Sequence, residues 1–154
     1  MISMELKIGV IAYVENDVNE QMDVNWGNIT SRIRLLEDYV GGLTGLESFS
    51  HAMILTYLHE AKFTRERHLE RRPRNLPEMP LVGIFSQRAK DRPNPIGLTS
   101  VKILEVGTDF LLVKGLDAIN GTPVLDIKPY YPQYDRISNA DVPEWVNRLM
   151  EKYF

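Results

Sequence analysis

Apolar residues recur at every second position over much of the chain, the period of a strand with one buried face. Residues 28–36 show it most clearly. Ile29, Ile33 and Leu35 fall on one side, and Thr30, Arg32 and Arg34 on the other. Residues 7–13 read as a short apolar strand. Residues 50–58 are apolar at nearly every position, which predicts a strand buried on both faces. Residues 81–86 form another short apolar run. Residues 99–106 and 110–114 flank Gly107-Thr108-Asp109, a hairpin connection. Asn120-Gly121 is the strongest short turn in the chain and predicts a junction between the strand before it and residues 122–127. Six or more strands of this kind predict a mostly antiparallel sheet closed as a barrel.

The period changes to that of a helix near the C-terminus. Asp141-Val142-Pro143-Glu144 has the spacing of a capped helix start with Pro in the first turn. Trp145, Val146, Leu149, Met150 and Tyr153 then make an apolar stripe, predicting an amphipathic helix packed on the barrel, with a subunit contact as the alternative. Residues 59–80 read as a short helix near 64–71 followed by an extended, Pro-rich loop. No repeat, low-complexity tract or linker divides residues 1–154, so a single domain is expected.

Composition narrows the chemistry. The 154 residues contain no Cys, which removes disulfides, thiol nucleophiles and thiolate metal sites. The N-terminus has no basic start followed by an apolar run, and no apolar stretch approaches the roughly 20 residues of a spanning helix, so a cytoplasmic location is expected. The net charge of −3 hides an asymmetry. Residues 62–92 hold nine basic and four acidic residues on an otherwise acidic chain. Such a surplus suits a polyanion or a small carboxylate, and it equally suits a solvated loop.

Two clusters carry the densest punctuation. The first is Gly83-Ile84-Phe85-Ser86-Gln87-Arg88 and then Arg92-Pro93-Asn94-Pro95-Ile96-Gly97-Leu98. The two prolines around Asn94 fix their own φ and push Arg92 and Asn94 towards extended backbone. A stiff polar loop between apolar strands can hold side chains in fixed directions, for binding or simply for the crossing. The second cluster runs from Gly115-Leu116-Asp117-Ala118 through Gly121-Thr122-Pro123-Val124-Leu125-Asp126-Ile127-Lys128-Pro129-Tyr130. Asp117 can make a local turn bond. Asp126 stands among Val124, Leu125 and Ile127, where a carboxylate is costly without a partner. It is therefore either an ion pair with Arg92 or Lys128, or a base or orienting group. His51, His59 and His68 lack the spacing of a zinc motif, so no metal site is expected. Gly41-Gly42-Leu43-Thr44-Gly45 lacks the Gly-Lys-Ser/Thr ending of a phosphate loop, and no strand–GxGxxG–helix pattern occurs.

These clusters, with Gly45-Leu46-Glu47-Ser48-Phe49-Ser50-His51 and Ile8-Gly9-Val10-Ile11 upstream, resemble the TsaA/TrmO (YaeB-like) family over roughly residues 6–135. The resemblance implies a single-sheeted antiparallel β-barrel, a homodimer, and a methyltransferase that uses S-adenosylmethionine (SAM). Members methylate N6 of threonylcarbamoyl-adenosine beside the anticodon of tRNA. By position it implies cofactor contacts at His59, Glu60, Arg88, Leu98, Asp117, Ile119 and Asn120. In this setting Arg88 would clamp the methionine carboxylate, and Lys62, Arg65 and Arg92 would meet RNA phosphates. Asn94 would hold a base edge, and Asp126 would act as base or orienting group. The chain departs from the family where a Pro-Arg-Gln motif usually follows the first strand. Here residues 16–27 are acidic, which leaves open another RNA, a small-molecule acceptor or a SAM-binding regulator.

Overall fold

The computed structural model describes residues 2–154. In chain order the strands are β1 (Ala12–Glu15), β2 (Thr30–Leu35), β3 (His51–Tyr57), β4 (Glu70–Arg71), β5 (Val82–Gly83), β6 (Ile96–Val106), β7 (Phe110–Lys114) and β8 (Pro123–Pro129). The helices are α1 (Arg65–His68), α2 (Pro132–Asp135) and α3 (Glu144–Met150), supplemented by short 3₁₀ turns. Six strands close a barrel in the order β1-β2-β7-β6-β3-β8, every pairing antiparallel. β4 and β5 form a separate two-stranded ribbon.

Alternation fills the barrel. Ser31, Ile33 and Leu35 of β2 are buried while Thr30 and Arg32 are exposed. They meet Val14, Ile54, Val101, Leu111, Val113 and Val124 from the other strands, and Leu116 also joins this core. β3 corrects one expectation. Only Ala52, Ile54 and Thr56 are buried, and Met53 and Leu55 are half-buried. A single closed sheet has one interior, so only one parity of β3 reaches it.

Three other boundaries shift. The strand expected at residues 7–13 starts only at Ala12, and Ile2, Met4, Leu6 and Ile8 stay exposed. The cause lies in β8, which bulges between Val124 and Asp126, so that Thr56 pairs Val124 but Leu55 pairs Asp126. A bulge bends its strand, and β1 parts from β8 at that point. The Asn120-Gly121 turn is present, with Gly121 at φ 83°, but no strand precedes it. Residues 115–120 instead carry the chain from β7 to β8, whose neighbours are β1 and β3. The run at 81–86 splits into β5 and a 3₁₀ turn, Ile84–Ser86, outside the barrel.

The C-terminal helix forms later than its cap pattern predicts. Pro143 occupies the N-cap and no side chain caps the helix. Of its stripe, Trp145, Val146, Leu149 and Tyr153 are half-buried and Met150 is exposed, and the chain is anchored beyond it. Lys152 O accepts from Asn25 N at 2.8 Å, and Tyr153 O from Trp26 N at 2.7 Å. Trp26 is completely buried. Gly27 leaves no room for a side chain here, since a Cβ would lie 2.6 Å from the Phe154 carbonyl carbon.

Candidate active-site cleft at one barrel rim

The antiparallel registers bring three connections to the same rim. Tyr57 pairs Ile96, Tyr13 pairs Pro123 and Thr30 pairs Lys114. The chain leaving β3, the loop entering β6 and the crossover from β7 to β8 therefore converge with residues 16–25, which leave β1. A small cleft forms where they meet. Leu58, His59, Glu60 and Ala61 supply one wall, and Ala118, Ile119 and Thr122 another. Gln21 and Lys90 complete it. Its volume is about 20 Å³, room for one water.

The walls are fixed by side chains bonded to backbone. Asn16 Nδ2 donates to Ala118 O at 2.8 Å and to Ser31 Oγ at 2.9 Å. Asn120 N donates to Val18 O at 2.7 Å, and Asn120 Oδ1 accepts from Asn16 N at 3.1 Å. The crossover and the segment after β1 are thus stitched together. Thr122 Oγ1 donates to Ile119 O at 2.6 Å, holding the turn beneath Ile119. Asp117 is held from two directions. Thr99 Oγ1 donates to its Oδ1, and Tyr153 OH donates to its Oδ2 at 2.5 Å. Burial first, then the neighbouring Asp117 charge and hydrogen bond, push the Tyr153 hydroxyl far above its ordinary 10.0.

The loop between the ribbon and β6 is also stapled. Arg92 Nη1 donates to Gln87 O at 2.9 Å and Ala89 O at 3.4 Å. Arg88 Nη2 donates to Leu98 O at 2.7 Å. Asp91 collects Lys62 N at 2.8 Å and Lys90 Nζ at 3.0 Å, with His68 Nε2 and Arg71 Nη1 each 3.8 Å away. Burial alone would raise the Asp91 carboxyl, but the Lys62 N–H, Lys90 and His68 outweigh it and hold it below 3.8. Asn94 is exposed between its two prolines.

The expected residues therefore separate into groups. His59, Glu60 and Ile119 share the cleft. Asp117 and Asn120 belong to the same crossover, but their side chains serve to hold it. Arg88 and Leu98 meet each other at the start of β6 and are exposed. Lys62 and Arg65 are exposed, whereas Arg92 is half-buried and bonded to its own loop. Asp126 does not line this cleft. It forms an ion pair with Lys128 at 2.8 Å, accepts Ile127 N at 2.9 Å, and lines a different groove. The expected burial cost does not arise, because the Asp126 side chain faces outward and pairs with the exposed lysine two residues on, one of the two partners its sequence setting offered. Sequence reasoning missed Gln21, Lys90 and the Tyr153–Asp117 bond. Lys90 lay in the basic segment, and Tyr153 counted only as part of an apolar stripe.

A family model described as the tRNA-methyltransferase O N-terminal domain matches residues 15–136. A probable S-adenosyl-L-methionine-binding protein of Methanothermobacter thermautotrophicus is 38% identical over 141 residues, covering 89% of this chain and 98% of that protein. The Homo sapiens tRNA (adenine(37)-N6)-methyltransferase is 39% identical over 115 residues, which span 73% of this chain but 25% of the human protein. The crystal structure of TrmO from Pseudomonas aeruginosa superimposes with a TM-score of 0.72 at 29% identity, covering 90% of this chain and 62% of that one.

Proposed function

The chain belongs to the family of the tRNA-methyltransferase O N-terminal domain, and on that premise we propose that it transfers a methyl group from SAM to N6 of an adenine in tRNA. The finer substrate we propose is threonylcarbamoyl-adenosine beside the anticodon. The observation that carries this reading is the convergence of His59, Glu60 and Ile119, from two distant segments, on one rim cleft.

The residues present suit the cofactor. Leu58, Ala118 and Ile119 offer apolar surface to an adenine face, and Glu60 offers acceptors for a ribose or an ammonium group. Arg88 keeps further N–H donors beside the one given to Leu98, in the fork that suits a carboxylate. The cleft must widen to admit a nucleoside. The part placed to yield is the stretch around Gln21, where residues 19–21 are exposed between the anchors at Asn16 and Trp26.

When bound, SAM supplies a methyl group on a positive sulfur. The chain's own task is to hold the acceptor nitrogen in line with that carbon and to keep water out. Transfer would form the N–C bond at the expense of the S–C bond, so the chain would have to take up the proton that the nitrogen sheds. Glu60 is the carboxylate of the cleft for that proton. Asn94, exposed at the rim, presents an amide to the base edge. Lys62 and Arg65, exposed nearby in sequence, meet phosphates. A second reading, a different acceptor or a SAM-binding regulator, draws on Asp17, Glu20 and Asp23 near Gln21, charges that repel phosphate.

The test is purified protein, labelled SAM and total tRNA from cells lacking the modification, digested to nucleosides and read by mass spectrometry. The expected product is methylated threonylcarbamoyl-adenosine, with Glu60→Gln lowering turnover. SAM binding by calorimetry with no label in any tRNA would overturn the tRNA acceptor.

A further inference from the structure

We propose that the outer face of the β4–β5 ribbon is a stacking platform for an unpaired base of the bound RNA, with Phe85 as the aromatic surface and Gly83 as the gap beside it. The proposal rests on the tRNA reading above for the identity of the RNA. It gives a task to the ribbon, none of whose residues line the cleft.

The register of the ribbon sorts its side chains. Glu70 pairs Gly83 and Arg71 pairs Val82, and paired residues of an antiparallel ribbon share a face. Ile84 N donates to Leu69 O at 2.8 Å, which extends the register by one pair. Val82 and Arg71 are half-buried and Ile84 is buried, so their face lies against the protein. Buried Gln87 holds the two strands together, donating from Nε2 to Arg71 O at 2.8 Å and to Val82 O at 3.0 Å. The alternate positions, Glu70, Arg72, Leu81 and Gly83, belong to the outer face. Phe85 follows in the 3₁₀ turn, which is anchored by Ile84 and presents the ring to solvent. Leu81 is 59% exposed and Phe85 82%.

Gly83 is the second observation. Its φ is −66° and its ψ 157°, ordinary extended backbone. A Cβ there would meet nothing nearer than Leu69 O at 3.9 Å. Neither backbone conformation nor packing calls for glycine here. A strand glycine free of both demands marks a close approach by a ligand. Between Leu81 and Phe85 it leaves bare backbone on which a flat ring can lie.

Charge identifies the ligand. From α1 to the end of the motif after β5, the exposed charged residues are Arg65, Arg67, Arg72 and Arg88 against Glu66 and Glu70. An open aromatic ring among arginines suits a single strand of nucleic acid. The guanidinium groups meet phosphates, and the ring stacks on a base of any identity. Position fits the same partner. Phe85 lies five residues before Lys90, which lines the cleft, and that stretch of chain spans at most about 18 Å. An RNA strand whose target adenine enters the cleft therefore brings a neighbouring nucleotide to Phe85.

The test uses the full chain and an anticodon stem-loop RNA, first without SAM. Phe85→Ala is expected to weaken binding roughly five- to hundredfold by fluorescence anisotropy, the worth of one stacked base. Phe85→Trp should restore it, and the RNA should quench the added indole. Gly83→Val, whose side chain points to solvent, should keep the parent's melting temperature and lose binding as Phe85→Ala does. The dependence of affinity on salt should match the parent's in Phe85→Ala, because no phosphate contact is lost. A flattened dependence would mean that Phe85 acts through the arginines, and would overturn the stacking role. So would undiminished binding by Phe85→Ala or by folded Gly83→Val, or a loss that Trp does not repair. With SAM added, Phe85→Ala should raise KM for the RNA and leave kcat within about twofold. Labelled product with an unmoved KM would overturn the platform alone. Bound but unlabelled RNA would overturn methyl transfer, while its loss in Phe85→Ala would still uphold the platform. A parent that binds no RNA would overturn both.

Discussion

At the rim that carries Ile119, loop side chains are spent on loop backbone: Asn16 on Ala118, Thr122 on Ile119, Arg92 on Gln87. At the opposite rim, β1 and β8 part over an apolar groove and the arm before β1 is exposed. The first arrangement fixes positions through directional bonds, which a site needs if it is to orient a reacting atom. The second leaves unpaired edge and uncovered area, which carry little orientation. Substitutions at the two rims should therefore fail differently: those at the site rim cost fold and ligand together, and those in the exposed arm cost little of either.

The largest expected effect is at Asp117. Asp117→Ala leaves the Thr99 and Tyr153 hydroxyls without their acceptor, a loss of about 2–3 kcal/mol. Urea unfolding should show it, and calorimetry should show weaker SAM binding. An unchanged unfolding midpoint would mean that the crossover is not held from Asp117. Tyr153→Phe removes one of the two bonds, about 1 kcal/mol. It should also change the alkaline limb. The folded Tyr153 hydroxyl titrates far above 10.0, so its share of stability is complete below pH 10.0 and declines as pH rises and the unfolded chain ionises. Tyr153→Phe should lose stability less steeply above that pH than the parent does. The smallest effect is at Asp91. Asp91→Asn should cost about 1 kcal/mol or less at neutral pH. Because the folded carboxyl titrates below 3.8, its contribution is present above that value and fades as pH falls through the lower folded one. The two proteins should converge in strong acid, as acid titration of the unfolding midpoint will test.

Much of this division was legible in the sequence. The β7 strand matched its expected bounds, and the alternation of residues 30–35 gave the buried face of β2 directly. The barrel could be reached from these periods alone. The parting of β1 from β8 could not, because residues 7–13 are as apolar as a strand needs. What ends β1 is a bulge in β8, more than a hundred residues away in sequence. At the site, His59, Glu60 and Ile119 followed from family motifs read by position. Asp126 shows the limit of that reading. Its apolar neighbours implied an unusual carboxylate, yet β8 turns it outward to Lys128. Trp26 shows the converse. It stands in an acidic, Asn-rich stretch, yet it is completely buried and its backbone is bonded to Tyr153 at the far end of the chain, which no local pattern could announce.

That last contact also governs the order of assembly. The barrel's pairings can all form once β8 has been made, but the backbone bonds from Asn25 and Trp26 wait for Lys152 and Tyr153. Closure of so long a loop is slow relative to local pairing. During synthesis the sheet should therefore close first and the rim that carries Ile119 set last, so a chain stalled just short of Lys152 would have its barrel formed and the segment around Trp26 unanchored.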